Sequence, residues 1–156
     1  MNTVEITTTV SVIEMDGQPV SEVLSDDVEV VEVGVPGPAG SEDITITAGE
    51  SLGGHRVVTT NAAGHAIYAS SATSDHAGRL LGVTTGAASS GATATIRTRG
   101  EMTEAGWAWI PGGLLYLSTN GMLSHTPPAT GFAQVIGYAM TATTIFIHTT
   151  TPVIRG

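Results

Sequence analysis

The residues of this chain that could do chemistry are five histidines, two tryptophans and five arginines. The histidines stand at His55, His65, His76, His125 and His148, and no pair of them has the spacing of a recognised metal motif. They read as surface or turn histidines. The alternative needs symmetry: three copies of His148, at the end of Thr144-Ile145-Phe146-Ile147, could meet on a three-fold axis and hold a metal ion. Asp75-His76 lies near Ser70, Ser71 and Ser74, the residue types of a hydrolase triad. Adjacency on a loop does not set triad geometry, and an ordinary polar loop accounts for the stretch. Trp107 and Trp109 share strand parity, so both rings would lie on one side of a strand. They could stack on a sugar or anchor a core or subunit contact. Arg97 and Arg99 also share parity. They could pair with acids of a neighbouring copy, bind an anionic glycan, or simply line a solvated strand face. There is no Gly-rich phosphate loop, no Gly-x-Ser-x-Gly elbow and no pair of carboxylates in a plausible cleft. No catalytic residue, cofactor or metal is therefore assigned, and no enzyme is expected.

The elements that must carry these residues are strands. Gly (20 residues) and β-branched residues dominate, while aromatics are only 4% of the 156 residues. Beyond Gly40 the strand candidates are 43–47, 55–60, 66–70, 79–84, 92–99, 107–110, 114–118, 133–140 and 143–149. Between them lie turn signals such as Gly53-Gly54, Asn61-Ala62-Ala63-Gly64, Gly112-Gly113 and Asn120-Gly121. Short strands with Gly-rich turns predict an all-β sandwich or barrel over 41–156. One short helical turn is allowed near 74–79. Without cysteine there is neither a disulfide nor a thiolate metal site. The chain shows no basic-then-apolar leader and no apolar run long enough to cross a bilayer, which predicts a soluble protein.

Before that domain the chemistry changes. Gly34-Val35-Pro36-Gly37-Pro38-Ala39-Gly40 places glycine at every third position, the local rule of the collagen triple helix, where only Gly fits at the axis. Two triplets are too short to be a stable triple helix. The segment either marks where three chains converge or serves as a stiff linker. Residues 1–35 hold eight acids (Glu5, Glu14, Asp16, Glu22, Asp26, Asp27, Glu29 and Glu32) and no Lys or Arg, in a chain of net charge −9. Such a charge repels phosphates and anionic lipid, so neither nucleic acid nor membrane is expected as a partner. The arm is not apolar-poor, which argues against plain disorder. Val4, Ile6, Val10 and Val12 alternate with polar residues, Asp16-Gly17 is a hairpin signal, and 28–33 reads as a strand interrupted by a parity change. Residues 1–33 are thus expected to be an acidic β arm that needs a partner surface.

The stretch Ile44-Thr45-Ile46-Thr47-Ala48-Gly49-Glu50-Ser51-Leu52-Gly53-Gly54-His55-Arg56-Val57-Val58 resembles the opening of a β domain found in tailed-bacteriophage virion proteins. Gly106 to Ala139, beginning Gly-Trp-Ala-Trp-Ile-Pro-Gly-Gly-Leu-Leu-Tyr-Leu, and then Met-Thr-Ala-Thr-Thr-Ile-Phe-Ile, is similar to domains of phage head-decoration and head-fibre proteins and of some tail fibres. The resemblance covers about 41–150. It implies a homotrimer exposed on a virion, made in the host cytoplasm and without enzymatic activity. Its partner would be the major capsid protein or another virion protein. The resulting expectation is a cement or head-fibre protein held to the capsid by its acidic arm. A short tail fibre or tail-tip protein is the alternative, with Trp107, Trp109 and Arg97 or Arg99 contacting a host glycan.

Overall fold

The computed structural model describes residues 40–156 and, before them, the strands β1 (Ile13–Met15) and β2 (Gln18–Val20). The chain forms two compact units, Met1–Val35 and Pro36–Gly156. In the first, β1 and β2 run antiparallel with Met15 opposite Gln18. Only Asp16 and Gly17 connect them, as that dipeptide predicts. The strands expected around 4–12 and 28–33 lie outside the described residues, as do Gly34, Pro36, Gly37 and Pro38 of the Gly-x-y segment. Gly40 is exposed, and a Cβ built on it would meet nothing within 4 Å.

The regular secondary structure of the second unit's described residues is all β apart from one 3-10 turn, Ser74–His76. The strands are β3 (Glu42–Thr47), β4 (Val57–Thr60), β5 (Ala66–Tyr68), β6 (Gly82–Thr84), β7 (Thr93–Thr103), β8 (Leu114–Leu117), β9 (Leu123–Ser124), β10 (Gly131–Ala133), β11 (Val135–Ala139), β12 (Thr144–Ile147) and β13 (Val153–Arg155). Nine of them make one antiparallel sheet that curls into a half-barrel. Its order is β5-β4-β6-β7-β12-β11-β8-β9, with β3 also on β7, while β10 and β13 form a separate ribbon.

Period-two patterning explains the core. Ile145 and Ile147 of β12 and Leu115 and Leu117 of β8 point inward with Ile136 and Phe132, all fully buried. On β4 the adjacent Val57 and Val58 face opposite ways. Val57 joins this main core and Val58 a second cluster with Leu52, Ala66, Ala94 and Ile96. A strand covered on both faces reads as a continuous apolar run, which is why Val-Val-Thr is buried without alternation.

Several strand boundaries depart from expectation: residues 55–56, 69–70 and 79–81 lie outside the strands, and β9 and β13 were not foreseen. Residues 107–110 form no ladder. The Trp107 N–H turns back to the Glu104 carbonyl (3.1 Å), and the Trp109 N–H reaches the Ala142 carbonyl (2.8 Å). The strand expected to end at 99 runs on to Thr103, through Gly100. Gly100 has φ +105°, and a Cβ there would come within 2.7 Å of the Ser41 backbone. At that residue β7 passes from pairing with β3 to pairing with β12. The single strand expected over 133–140 breaks at Gln134, where the chain leaves the ribbon for the main sheet. Gln134 is buried but satisfied: its Oε1 accepts the Gly78 N–H (3.2 Å) and its Nε2 donates to the Thr150 carbonyl (2.7 Å).

Candidate functional site

Two surfaces of the second unit stand out. The first is a shallow open groove of about 330 Å³ lined by Gly54, His55, Arg56, Trp107, Trp109, Met122 and Leu123. Its first wall is the corner entering β4. His55 sits in the left-handed region at φ +59°, a conformation uncommon for a residue with a side chain. Buried Thr84 holds that corner: its carbonyl accepts the His55 N–H (2.8 Å), while its hydroxyl accepts the Arg56 N–H (2.9 Å) and donates to the Gly53 carbonyl (2.7 Å). The second wall is the loop after β7, where the Glu104 carboxylate accepts the Gly106 N–H at 3.1 Å. The third is the β8–β9 hairpin. Asn120 (φ +52°) and Gly121 (φ +67°) form its type I′ turn, as Asn-Gly predicts. The turn is tied to β4 and β5 by Val57 N–H to Gly121 O (2.8 Å) and Gly121 N–H to Ala69 O (2.7 Å). Those bonds bring Met122 and Leu123 beside Arg56, whose guanidinium donates to the Asn120 carbonyl at 3.3 Å.

Along the groove the aromatic rings form a ladder. His55 meets Trp107 edge to face at 5.2 Å, Trp107 lies 5.9 Å from Trp109 at 57°, and Trp109 meets His125 edge to face at 5.2 Å. His125 is fixed by accepting the Ile110 N–H on Nε2 (3.0 Å), so its Nδ1 carries the proton donated to the Leu114 carbonyl (2.9 Å). The His55 Nδ1 lies 3.5 Å from the Glu104 carboxylate. Both indoles are half-buried against the main core and also line the groove. Of the readings made for the tryptophans, packing against the core is what the structure shows, with one side of the pair facing the groove. The Trp109 indole N–H is buried and makes no hydrogen bond.

The second surface is the sheet face opposite the main core. Leu114 of β8 and Phe146 of β12 are both direct cross-strand partners of Tyr138 of β11. The Tyr138 and Phe146 rings stack at 5.8 Å and 29°. Leu114 is 49% exposed, Tyr138 40% and Met140 39%. A row of large apolar side chains is thus left open on an ordered sheet.

The other expected site residues are dispersed. Arg97 belongs to a fold-internal pair: its Nε and a terminal nitrogen hold both carboxylate oxygens of Asp43 at 2.8 and 3.0 Å, and its other terminal nitrogen donates to the Glu101 carbonyl at 2.6 Å. The hydrogen bond from Arg97, aided by its charge and opposed by slight desolvation, holds the Asp43 carboxyl below its usual range. Arg99 is exposed on the same strand, and neither arginine lines the groove. Arg56 does, and sequence reasoning missed it. The only available signal was its position two residues after the Gly53-Gly54 turn. His76 Nδ1 accepts the Ser70 N–H (3.0 Å), so Asp75-His76 is a loop lock and not part of a triad. His148 is exposed just past β12, its N–H bonded to the Ile136 carbonyl. Among the described residues of one chain, no three His, Asp or Glu side chains converge as metal ligands.

No curated protein matches this sequence. A family model described as phage cement protein matches residues 37–145, well over half of the chain. The match spans the groove and the apolar sheet face as far as Ile145, and the chain belongs to that family: it is a capsid-associated structural protein of a phage virion.

Proposed function

We propose that the protein is a homotrimeric capsid cement, attached through residues 1–33 and presenting residues 41–156 outward, with residues 34–40 as the Gly-x-y linker between them. Membership of the cement family supports the capsid as its place. The observation that carries the trimer is the open row Leu114, Tyr138 and Phe146. A monomer gains nothing by leaving stacked aromatics in water, and contiguous exposed apolar surface marks contact sites. Residues 41–156 hold six acids and five arginines, so copies of this unit would not repel one another strongly.

The arm supplies the attachment. The β1–β2 pair is marginal alone and fits a segment completed by a partner. Its acids require cationic surface, which this chain hardly provides, so the major capsid protein or another virion protein is the partner. Stabilisation follows from bridging: each copy needs only a weak grip, because linked copies convert later contacts into intramolecular ones. No catalytic group enters this function.

The test is co-sedimentation with purified phage heads that lack the protein. Full-length chain is expected to pellet with the heads, and a chain lacking residues 1–33 to stay in solution. Equal pelleting of the two would remove the arm from the attachment.

A further inference from the structure

We infer that the groove between His55, Arg56, Trp107, Trp109, Met122 and Leu123 is a saccharide-binding site. This goes beyond the cement role and does not depend on it. The groove volume, about 330 Å³, lies at the small end of the range for small-molecule sites. Its lining combines the two kinds of surface that a pyranose ring offers to a protein. The C–H face of a sugar packs on the indoles and on Met122 and Leu123. Its hydroxyls, or a ring carboxylate, meet Arg56, whose guanidinium makes one bond to the Asn120 carbonyl and otherwise keeps its donors free among the described residues. Arg can take two adjacent oxygens at once.

One strained backbone corner, at His55, lies at the same place, while Asn120 takes the ordinary conformation of its type I′ turn. His55 and Asn120 are the only non-glycine residues at positive φ among the described residues, and Arg56 links the two corners. Such conformations persist where the surroundings over-determine them, as Thr84 does at His55, and they gather at binding sites. The competing ligand classes fit less well. A nucleotide brings phosphates to a chain of net charge −9, and the groove offers them a single arginine. A purely apolar ligand would leave Arg56 without a role. On a decorated head, many such sites would act together, so millimolar affinity per site could suffice.

The chain has two tryptophans and both line the groove, so intrinsic tryptophan emission reports on this site directly. The full-length protein would be titrated with galactose, N-acetylglucosamine, glucuronate and N-acetylneuraminate. A saturable emission change with a millimolar midpoint is expected from at least one of them. A response confined to the acidic sugars would assign a carboxylate to Arg56, and a response to the neutral sugars a hydroxyl pair. Arg56→Gln is expected to weaken that response about ten-fold, the loss of one charge-assisted contact. Met122→Asp, at an exposed position, should weaken it independently, and Arg97→Gln should leave it unchanged. Urea midpoints would establish that each variant is folded. Absence of any response to the four sugars would overturn the inference. So would a response that survives both groove substitutions.

Discussion

Tyr138→Ala is the sharpest probe of the proposed assembly. An aromatic side chain carries about 150–250 Å² of surface, and Tyr138 keeps 40% of its own exposed in the single chain. About 60–100 Å² therefore remains for a neighbouring copy, worth about 1.5–2.5 kcal/mol per contact at 25 cal/mol per Å². A closed ring of three copies repeats the contact, for about 4.5–7.5 kcal/mol in all. The dissociation constant of the trimer should rise by about three to five orders of magnitude, at 1.4 kcal/mol per decade. Within one chain the covered part of Tyr138, which includes the stacked pair with Phe146, is also lost, about 2–4 kcal/mol for about 90–150 Å². Sedimentation equilibrium over a wide range of protein concentration, paired with urea unfolding, separates the two effects. The variant should be monomeric where the parent is trimeric, and its monomer should unfold earlier by an amount that does not depend on protein concentration. A trimeric parent with an equally stable trimeric variant would clear the sheet face of any part in assembly. A parent that stays monomeric, both free and on heads, would remove the trimer itself.

Two further outcomes test the fold that presents these surfaces. Asp43→Asn removes the carboxylate that Arg97 grips between β3 and β7. The pair is part-exposed, so the expected loss at neutral pH is small, about 0.5–1 kcal/mol. Because the Asp43 pKa is lowered in the folded chain, its contribution is present above the unfolded value and fades as pH falls through the folded one. Denaturation curves of parent and variant should thus stay separated above pH 3.8 and draw together as pH falls progressively below it. Gly137→Ala places a methyl group against the Phe146 carbonyl oxygen, in a ladder that cannot open without disrupting β12. A loss of about 3 kcal/mol or more is expected by thermal unfolding, in the range of severe core changes. An unchanged melting temperature would mean that the β11–β12 register is wrong.

The strands were readable because alternation is a local property. Thr-Ile-Phe-Ile at 144–147 and Leu-Leu-Tyr-Leu at 114–117 each put one parity inside, and no long-range knowledge is needed to see it. Asn120-Gly121 likewise announces its turn, because few residue pairs tolerate positive φ together. Strand ends were less legible. Gly100 resembles a stop in the sequence, yet it lets β7 pass close to Ser41 and continue, and that neighbour is distant in the chain. The tryptophans share a side as expected, but a turn at Glu104 and a single bond to Ala142 place them, not a strand ladder.

By itself the sequence determined an all-β unit, an acidic arm and the Gly-x-y segment dividing them, since composition, charge and period-two patterning are carried by neighbouring residues. Tertiary structure alone decided which of those residues meet. Asp43 claims Arg97, Thr84 holds His55 in a strained corner, and the Asn120-Gly121 turn docks on β4 to set Arg56 beside the tryptophans. Leu114, Tyr138 and Phe146 become one open row only after β8, β11 and β12 have paired in register. Each of these contacts joins positions far apart in the chain. Their free energy depends on long-range strand pairing, which no local pattern encodes.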